Sequence, residues 1–237
     1  MSHYPRLLCL HGGGASSRIM RAQFAKLECA LSNRFQLVYL EAPLDSAPGP
    51  GVLPYFENCG PYSCWVSDDK TLSPEHKRLE EDNAIAYIKS FMIQHGPFAG
   101  ILGFSQGARA TASILLEQQQ KPFTHDNLFG VFFCGTFPPF VPETPEIRIP
   151  TVHIQGLSDP YLQESEILLS HCTKQSVRRV IKFDGGHHMP TSLGVTQQIA
   201  DVISMVYRGT NRKKVSNLWK LKRPISTAKA KATAIEI

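Results

Sequence analysis

The sequence lacks an uninterrupted apolar stretch long enough to cross a membrane, which needs roughly 18 residues or more. Its N-terminus lacks the basic segment followed by a hydrophobic one that marks a secretory signal peptide. Its C-terminus carries neither an ER-retention nor a peroxisomal signal. We therefore expect a cytoplasmic protein with no membrane span.

Cofactor-binding patterns are also missing. The six cysteines include no C-x-x-C pair, and no set of cysteines and histidines has the spacing of a zinc site. Neither the P-loop pattern nor G-x-G-x-x-G is present, so nucleotide binding is excluded. We expect free thiols, no metal and no organic cofactor.

The net charge of +5 is unevenly distributed along the chain. Nine of the 25 Lys and Arg residues, but only one acidic residue, lie in 208–237, so the rest of the chain is mildly acidic. This distribution argues against a nucleic-acid partner for the body. We predict that 208–237 is a disordered basic tail. Such a tail could bind an acidic partner, an anionic membrane or a nuclear import receptor, or it could be inert.

Short apolar runs alternate with longer segments of helical period, and 42% of the residues are hydrophobic. We predict strands at 6–10, 36–40, 98–103, 130–134, 151–155 and 178–183, and helices at 18–31, 75–94, 106–118, 161–172 and 195–207. This alternation predicts one α/β domain over 1–207, with a mostly parallel sheet of about six strands and helices on both faces. Ligands of such a sheet bind at the carboxyl ends of its strands.

Residues 103–107 (GFSQG) match the G-x-S-x-G pattern, follow a predicted strand and precede a predicted helix. In this context a sharp turn exposes the serine hydroxyl at the top of the sheet, and the N-terminus of the helix faces the developing oxyanion. Ser105 is therefore the predicted nucleophile. The alternative is a glycine-rich turn with a purely structural role.

In α/β-hydrolases the acid and then the histidine follow the serine along the chain. Asp159 comes directly after the fifth predicted strand, where it would accept a hydrogen bond from the base and fix its tautomer. It could equally be a turn aspartate, and Asp184 is a competing acid that lies close to the histidines in sequence. His187 and His188 follow the sixth strand, and residue chemistry alone does not separate them.

The first predicted strand leads into residues 11–14 (HGGG), a pattern found in the oxyanion loops of many esterases. We predict that the backbone N–H groups of Gly13 and Gln106 are the oxyanion donors. His11 is expected to brace this loop by hydrogen bonding. A phosphate-binding turn is the alternative for the glycines.

Together these motifs resemble the FSH family of small serine hydrolases, common in fungi. The resemblance covers residues 5 to about 207, and the basic tail lies outside it. It rests on residues 8–12 (LCLHG), 41–43 (EAP), 48–51 (PGPG), 103–108 (GFSQGA) and 186–190 (GHHMP), and on Asp159. The resemblance implies the α/β-hydrolase fold and aligns His187, rather than His188, with the catalytic histidine of the family.

Members of this family include carboxylesterases and enzymes that look like thioesterases encoded beside fungal polyketide synthases. The resemblance thus implies cleavage of a small-molecule acyl ester, or of a carrier-protein-bound acyl thioester, through an acyl-serine intermediate. It also implies a polyketide synthase as a partner. The alternatives are a general carboxylesterase, an acyltransferase and an inactive binding module on the same scaffold.

An insert at about 45–74 is rich in proline and glycine and follows a predicted strand. It should overhang the site as a lid or pocket wall for a mostly apolar acyl chain. Tyr62 and Trp65 in this insert, and Phe137 after another strand, are predicted to contact the substrate. The alternative is that these aromatic side chains only pack the insert onto the body.

Overall fold

The computed structural model describes residues 4–124, 127–136 and 146–221, with the backbone alone described at 212–221. The described residues form eight strands, which are β1 (Arg6–Leu10), β2 (Gln36–Leu40), β3 (Leu44–Ser46), β4 (Tyr62–Cys64), β5 (Gly100–Phe104), β6 (Gly130–Phe133), β7 (Thr151–Gly156) and β8 (Arg178–Phe183). They also form six helices, which are α1 (Ser17–Gln23), α2 (Ala25–Leu31), α3 (Pro74–His95), α4 (Gln106–Gln120), α5 (Leu162–Ser170) and α6 (Leu193–Leu221). None of these helices is both long and apolar enough to cross a membrane.

Six of the strands form one sheet in the order β2-β1-β5-β6-β7-β8. Every pair of neighbours is parallel; Leu8 of β1, for example, pairs with Val38 on one side and Ile101 on the other. Parallel neighbours require a crossover between them, and α3, α4 and α5 each lie between consecutive strands of the sheet. The predicted sheet of about six strands is confirmed.

The core is divided between the two faces of this sheet, because successive side chains of a strand point to opposite sides. Leu7 and Cys9 of β1 belong to one buried cluster, which includes side chains of α1, α2 and α6. Leu8 and Leu10 belong to a second cluster, which includes side chains of α3, α4 and α5. Helices therefore cover both faces, as the sequence predicts, and the carboxyl edge of the sheet is left for a site.

Two helices differ from the prediction. The helix expected at 18–31 is two helices that meet at Phe24, whose fully buried ring packs in the first cluster. Helix α6 continues to Leu221, past its expected end at 207, and Thr210 is still buried. Lysine and arginine have high helix propensity, which favours continuation of the helix into the basic segment. Helix α6 therefore runs through the predicted boundary at 207/208, and the remainder of the predicted tail, 222–237, lies outside the described residues.

The insert contains a small antiparallel hairpin that the sequence does not predict, formed by β3 and β4. Its second strand is hydrogen-bonded to the loop after β1: Gly14 N–H donates to Ser63 O at 2.9 Å, and Ser63 N–H donates to Ala15 O at 2.8 Å. Gly14 has a positive φ of 68°, and a Cβ there would lie 2.1 Å from Gly49 N. The insert is thus fixed by backbone contacts to the glycine loop beside the carboxyl edge of the sheet.

Candidate active site

Ser105 lies at the turn between β5 and α4, with φ 53° and ψ −116°. A positive φ is strained for a serine, and such strain is typical of functional turns. The turn is possible because the residues two positions before and after Ser105 have no Cβ. A Cβ on Gly103 would lie 2.3 Å from Gly107 O, and a Cβ on Gly107 would lie 2.0 Å from Leu10 O. The chain therefore presents the serine hydroxyl at the carboxyl edge of the sheet.

A continuous chain of hydrogen bonds joins three of the predicted side chains. Ser105 Oγ lies 2.9 Å from His187 Nε2, and His187 Nδ1 lies 2.9 Å from Asp159 Oδ2. The Asp159 carboxylate is 1% exposed and the His187 side chain 11% exposed, so water has little access to this pair. His188 and Asp184 are exposed and lie outside this chain of hydrogen bonds. The geometry thus favours His187 over His188 as the base and Asp159 over Asp184 as its partner.

Two aromatic rings hold the imidazole of His187 in place. Its centroid lies 5.1 Å from that of Phe104 and 4.9 Å from that of Tyr161, in an edge arrangement with the second. Asp159 also accepts a hydrogen bond from Tyr161 N–H at 2.8 Å, so it is a turn aspartate and the partner of the histidine at once. With Nδ1–H donated to the carboxylate, the lone pair of Nε2 faces the serine hydroxyl.

The buried thiol of Cys134, at the end of β6, lies behind this pair. Burial, and then the charge of Asp159, raise the pKa of the Cys134 thiol, so it stays protonated. Across the described parts of the chain, Cys134, Asp159 and His187 are the one group whose ligand atoms come within 4.8 Å of one another. A metal ion there would have to displace the His187–Asp159 hydrogen bond, so these residues are better suited to proton transfer than to metal binding.

The predicted oxyanion donors lie together. Gly13 and Gln106 line the same cleft as Ser105. Within the described ranges, neither backbone N–H donates to a protein acceptor. The side chain of Gln106 accepts a hydrogen bond from Trp65 N–H at 2.8 Å and donates one to Val66 O at 2.7 Å. Gln106 therefore fixes the insert against the start of α4, and the Gly13 and Gln106 backbone amides are without a protein acceptor within the described ranges.

The structure does not support the two substrate contacts predicted in the insert, because neither the Tyr62 nor the Trp65 side chain lines the cleft. Trp65 is 1% exposed, and its indole N–H donates to His11 O at 2.8 Å. The Tyr62 hydroxyl donates to Phe56 O at 2.6 Å. Both side chains pack the insert onto the body, which is the alternative that the sequence leaves open. Phe137 lies outside the described residues.

The cleft above Ser105 has a volume of about 160 Å³, and polar side chains contribute much of its wall. It is lined by Gly13, Pro50, Asp68, Ser105, Gln106, Arg109, Thr136, Tyr161, Glu164 and His187. This described part of the wall is more polar than the apolar pocket that the sequence predicts. Sequence reasoning missed Arg109, although its position four residues after Ser105 on α4 places both on one face of the helix.

His11 and Glu41 brace the glycine loop from behind. His11 is fully buried, its Nδ1 contacts Gly12 O at 2.8 Å, and its Nε2 lies 3.1 Å from Glu41 Oε1, so the predicted bracing role is confirmed. Glu41 also accepts hydrogen bonds from the Ser17 N–H at 3.0 Å, the Ser17 hydroxyl at 2.6 Å and the Ser63 hydroxyl. Burial alone would raise the pKa of Glu41, but these hydrogen bonds outweigh it and lower the pKa to about 2.

We expect the Glu41→Gln variant to be less stable than the wild type at neutral pH, with a melting temperature a few degrees lower, because hydrogen bonds to a carboxylate are lost. In the folded protein the pKa of Glu41 lies below the usual glutamate value of 4.5. The stabilisation that the Glu41 carboxylate contributes is therefore complete above about pH 4.5 and declines as the pH falls toward 2. Urea unfolding of the wild type and the variant between about pH 7 and pH 3 measures this difference in the free energy of unfolding.

Glu57→Gln is the matched control, since Glu57 is exposed and its carboxylate makes no hydrogen bond in the described structure. The stability gap between Glu41→Gln and the wild type should narrow in acid, and no such gap should exist for the control. A gap that stays constant with pH would contradict the assignment of the charge to Glu41.

Comparison with known proteins agrees with this geometry. The family model described as Serine hydrolase (FSH1) matches residues 1–199. Esterase FUS5 of Gibberella fujikuroi is 77% identical over 224 residues, which cover 94% of this chain and 96% of that protein. Thioesterase FSL2 of Gibberella zeae is 32% identical, over 85% of this chain and 92% of that protein.

Solved structures share the fold at low sequence identity. Esterase PE8 superposes with a TM-score of 0.60 and 18% identity, over 85% of this chain and 92% of that one. SOBER1 of Arabidopsis thaliana superposes with a TM-score of 0.58 and 20% identity, over 86% of this chain and 99% of that one. These likenesses confirm the α/β-hydrolase fold. The family match over most of the chain, together with the fungal relatives, establishes that the protein belongs to the FSH1 family of serine hydrolases, enzymes that act on ester bonds.

Proposed function

We propose that Ser105 is the nucleophile of this hydrolase, His187 its general base and Asp159 the residue that orients the base. The observation that carries the proposal is the unbroken path from Ser105 Oγ through His187 to Asp159, with each step close to 2.9 Å. A base within hydrogen-bond reach of a hydroxyl, itself held by a third group, is what activates a serine near neutral pH.

The reaction follows from this geometry. Ser105 Oγ attacks the carbonyl carbon of the substrate while His187 Nε2 takes its proton. The oxyanion accepts hydrogen bonds from the Gly13 and Gln106 amides, each of which stabilises the transition state by about 2.7–4 kcal/mol. His187 then returns the proton to the leaving alcohol or thiol. Water, deprotonated by the same imidazole, hydrolyses the acyl-serine.

We infer that the substrate is a small-molecule acyl ester or an acyl thioester on a carrier protein. The names of two relatives, Esterase FUS5 and Thioesterase FSL2, cover both leaving groups. The resemblance of the motifs to hydrolases encoded beside fungal polyketide synthases supports the release or processing of a polyketide-type acyl product. The partner would then be the carrier domain of a synthase.

We also infer that catalysis resides in the residues before the basic segment. The family match ends at residue 199, and all proposed catalytic residues lie within it. Packing of α6 continues to Thr210, so this residue belongs to the folded body. The basic residues after it would form a tail that takes no part in the reaction.

Two measurements test the proposal. A fluorophosphonate probe should label the wild type and leave Ser105→Ala unlabelled, and an acyl thioester and a p-nitrophenyl ester of the same acid should both be hydrolysed. Failure of the folded wild type to react with the probe would favour an inactive binding module. Turnover of the ester alone would favour a general carboxylesterase, and transfer of the acyl group to an added alcohol or amine would favour an acyltransferase.

A further inference from the structure

Arg109 lies one helical turn beyond Ser105 on α4. Its backbone N–H donates to Ser105 O at 3.2 Å, and its side chain lines the cleft together with Ser105 and His187. One turn of helix rises about 5.4 Å, so the guanidinium can reach an acyl group a few bonds away from the carbonyl under attack. Arg109 therefore lies in the wall of the cleft into which an acyl group attached to Ser105 would extend.

Among the residues that the structure describes, most of the hydrogen-bonding capacity of Arg109 is unused. A guanidinium has five N–H donors in a rigid plane. Within the described structure, its one side-chain hydrogen bond goes from Nη2 to Thr136 Oγ1 at 3.3 Å, while Nε is buried without a partner. No described carboxylate lies within 4.0 Å of its nitrogens. Thr136 thus orients the plane and leaves donors for a ligand.

The charges around Arg109 indicate what kind of ligand it accepts. Asp68 and Glu164 line the same cleft without pairing to it. A third carboxylate, Glu81, is near enough for the charge of Arg109 to act on it; burial raises the pKa of Glu81, and Arg109 opposes that rise. Three carboxylates around one guanidinium disfavour a further anion. They leave the donors of Arg109 available to a neutral acceptor.

We propose that Arg109 binds a neutral acceptor oxygen on the acyl group, such as a ketone a few bonds from the scissile carbonyl, and so selects oxygenated acyl esters over plain alkyl ones. This proposal rests on the function proposed for Ser105, because it concerns the acyl group attached there. The selection follows because an oxygenated chain accepts a hydrogen bond from the charged guanidinium. A hydrocarbon chain of equal length displaces water from the same donor without replacing its hydrogen bond.

The test compares three p-nitrophenyl esters of similar length, the pentanoate, the 4-oxopentanoate and the hydrogen succinate. Each kcat/KM is divided by the rate constant of hydroxide-catalysed hydrolysis of the same ester. We expect the wild type to prefer the 4-oxopentanoate to the pentanoate by about tenfold or more, and to accept the anionic succinate less well than the 4-oxopentanoate.

The variants are Arg109→Met, which removes the donors, and Arg109→Lys, which keeps the charge without the planar fork. The oxo-to-alkyl ratio should fall to near one in Arg109→Met and take an intermediate value in Arg109→Lys. Arg179→Met, an exposed arginine of β8 outside the cleft, is the matched control and should keep the ratio of the wild type. Melting temperatures and fluorophosphonate labelling establish that each variant is folded.

The outcomes separate this proposal from the one it depends on. Hydrolysis of all the esters without an oxo preference, or a preference that survives in folded Arg109→Met, overturns the role of Arg109 and leaves the serine mechanism intact. A higher rate with the succinate would show that Arg109 selects anions instead. Absence of hydrolysis and of labelling in the wild type would overturn both proposals. If Arg109→Met fails to fold, an unchanged ratio in Arg109→Lys overturns the role.

Discussion

Replacing His187 with glutamine should lower kcat for ester hydrolysis by about a million-fold, the loss seen when the base of a serine–histidine pair is removed. His187 Nε2 is the atom 2.9 Å from Ser105 Oγ, and a glutamine side chain cannot accept the proton that leaves the hydroxyl as the bond to carbon forms. KM should change much less, because the imidazole contributes to the transition state rather than to binding of the acyl chain. Steady-state hydrolysis of a p-nitrophenyl ester, with burst titration of active sites, measures this loss.

His188→Gln is the matched control for this loss, since it makes the same substitution one residue away. His188 is exposed, and its ring contacts its own loop and Phe183 in the described part of the chain, with Nε2 accepting from Gly186 N–H at 3.2 Å. We expect its kcat to stay within tenfold of the wild type. A large loss in His188→Gln with near-normal turnover in His187→Gln would reverse the assignment of the base.

The central strands of the main sheet can be predicted from the sequence because β1, β5 and β6 are short apolar runs covered on both faces. β5 and β6 are buried at every position, and their residues form continuous apolar runs rather than alternating patterns. The hairpin of the insert cannot be found in this way. β3 and β4 have three residues each and are separated by a segment rich in proline and glycine, so neither gives a periodic signal.

The three side chains of the proposed triad could be predicted to lie together because their motifs specify local geometry. Gly103 and Gly107 permit the turn at Ser105, and the order of serine, acid and histidine follows the order of the strands. The residues that support the site could not be predicted in this way, because their roles come from contacts between segments far apart in the chain. Trp65, for example, donates to a carbonyl 54 residues away. An aromatic residue in an insert gives the same sequence signal whether it lines a pocket or packs the insert onto the body.

The role of Asp159 depends on tautomer control, and Asp159→Asn separates that role from simple packing. The amide has nearly the same shape, but its NH2 group favours the tautomer in which His187 Nδ1 accepts and Nε2 carries the proton. That imidazole cannot take the proton of Ser105, so kcat should fall by about ten-thousand-fold while the protein stays folded. The hydrogen bond from Tyr161 N–H to Oδ1 can be kept by the amide oxygen. The measurement is again kcat for a p-nitrophenyl ester, together with the melting temperature.

Asp184→Asn provides the control that distinguishes the two acids near the base. Asp184 is exposed and, within the described residues, makes no contact with His187, so this variant should keep kcat close to that of the wild type. Comparable losses in both variants would mean that negative charge near the imidazole matters more than the hydrogen bond from Nδ1. A loss confined to Asp159→Asn is what a carboxylate 2.9 Å from Nδ1 requires, because at that distance the hydrogen bond from Nδ1 fixes the tautomer of the imidazole.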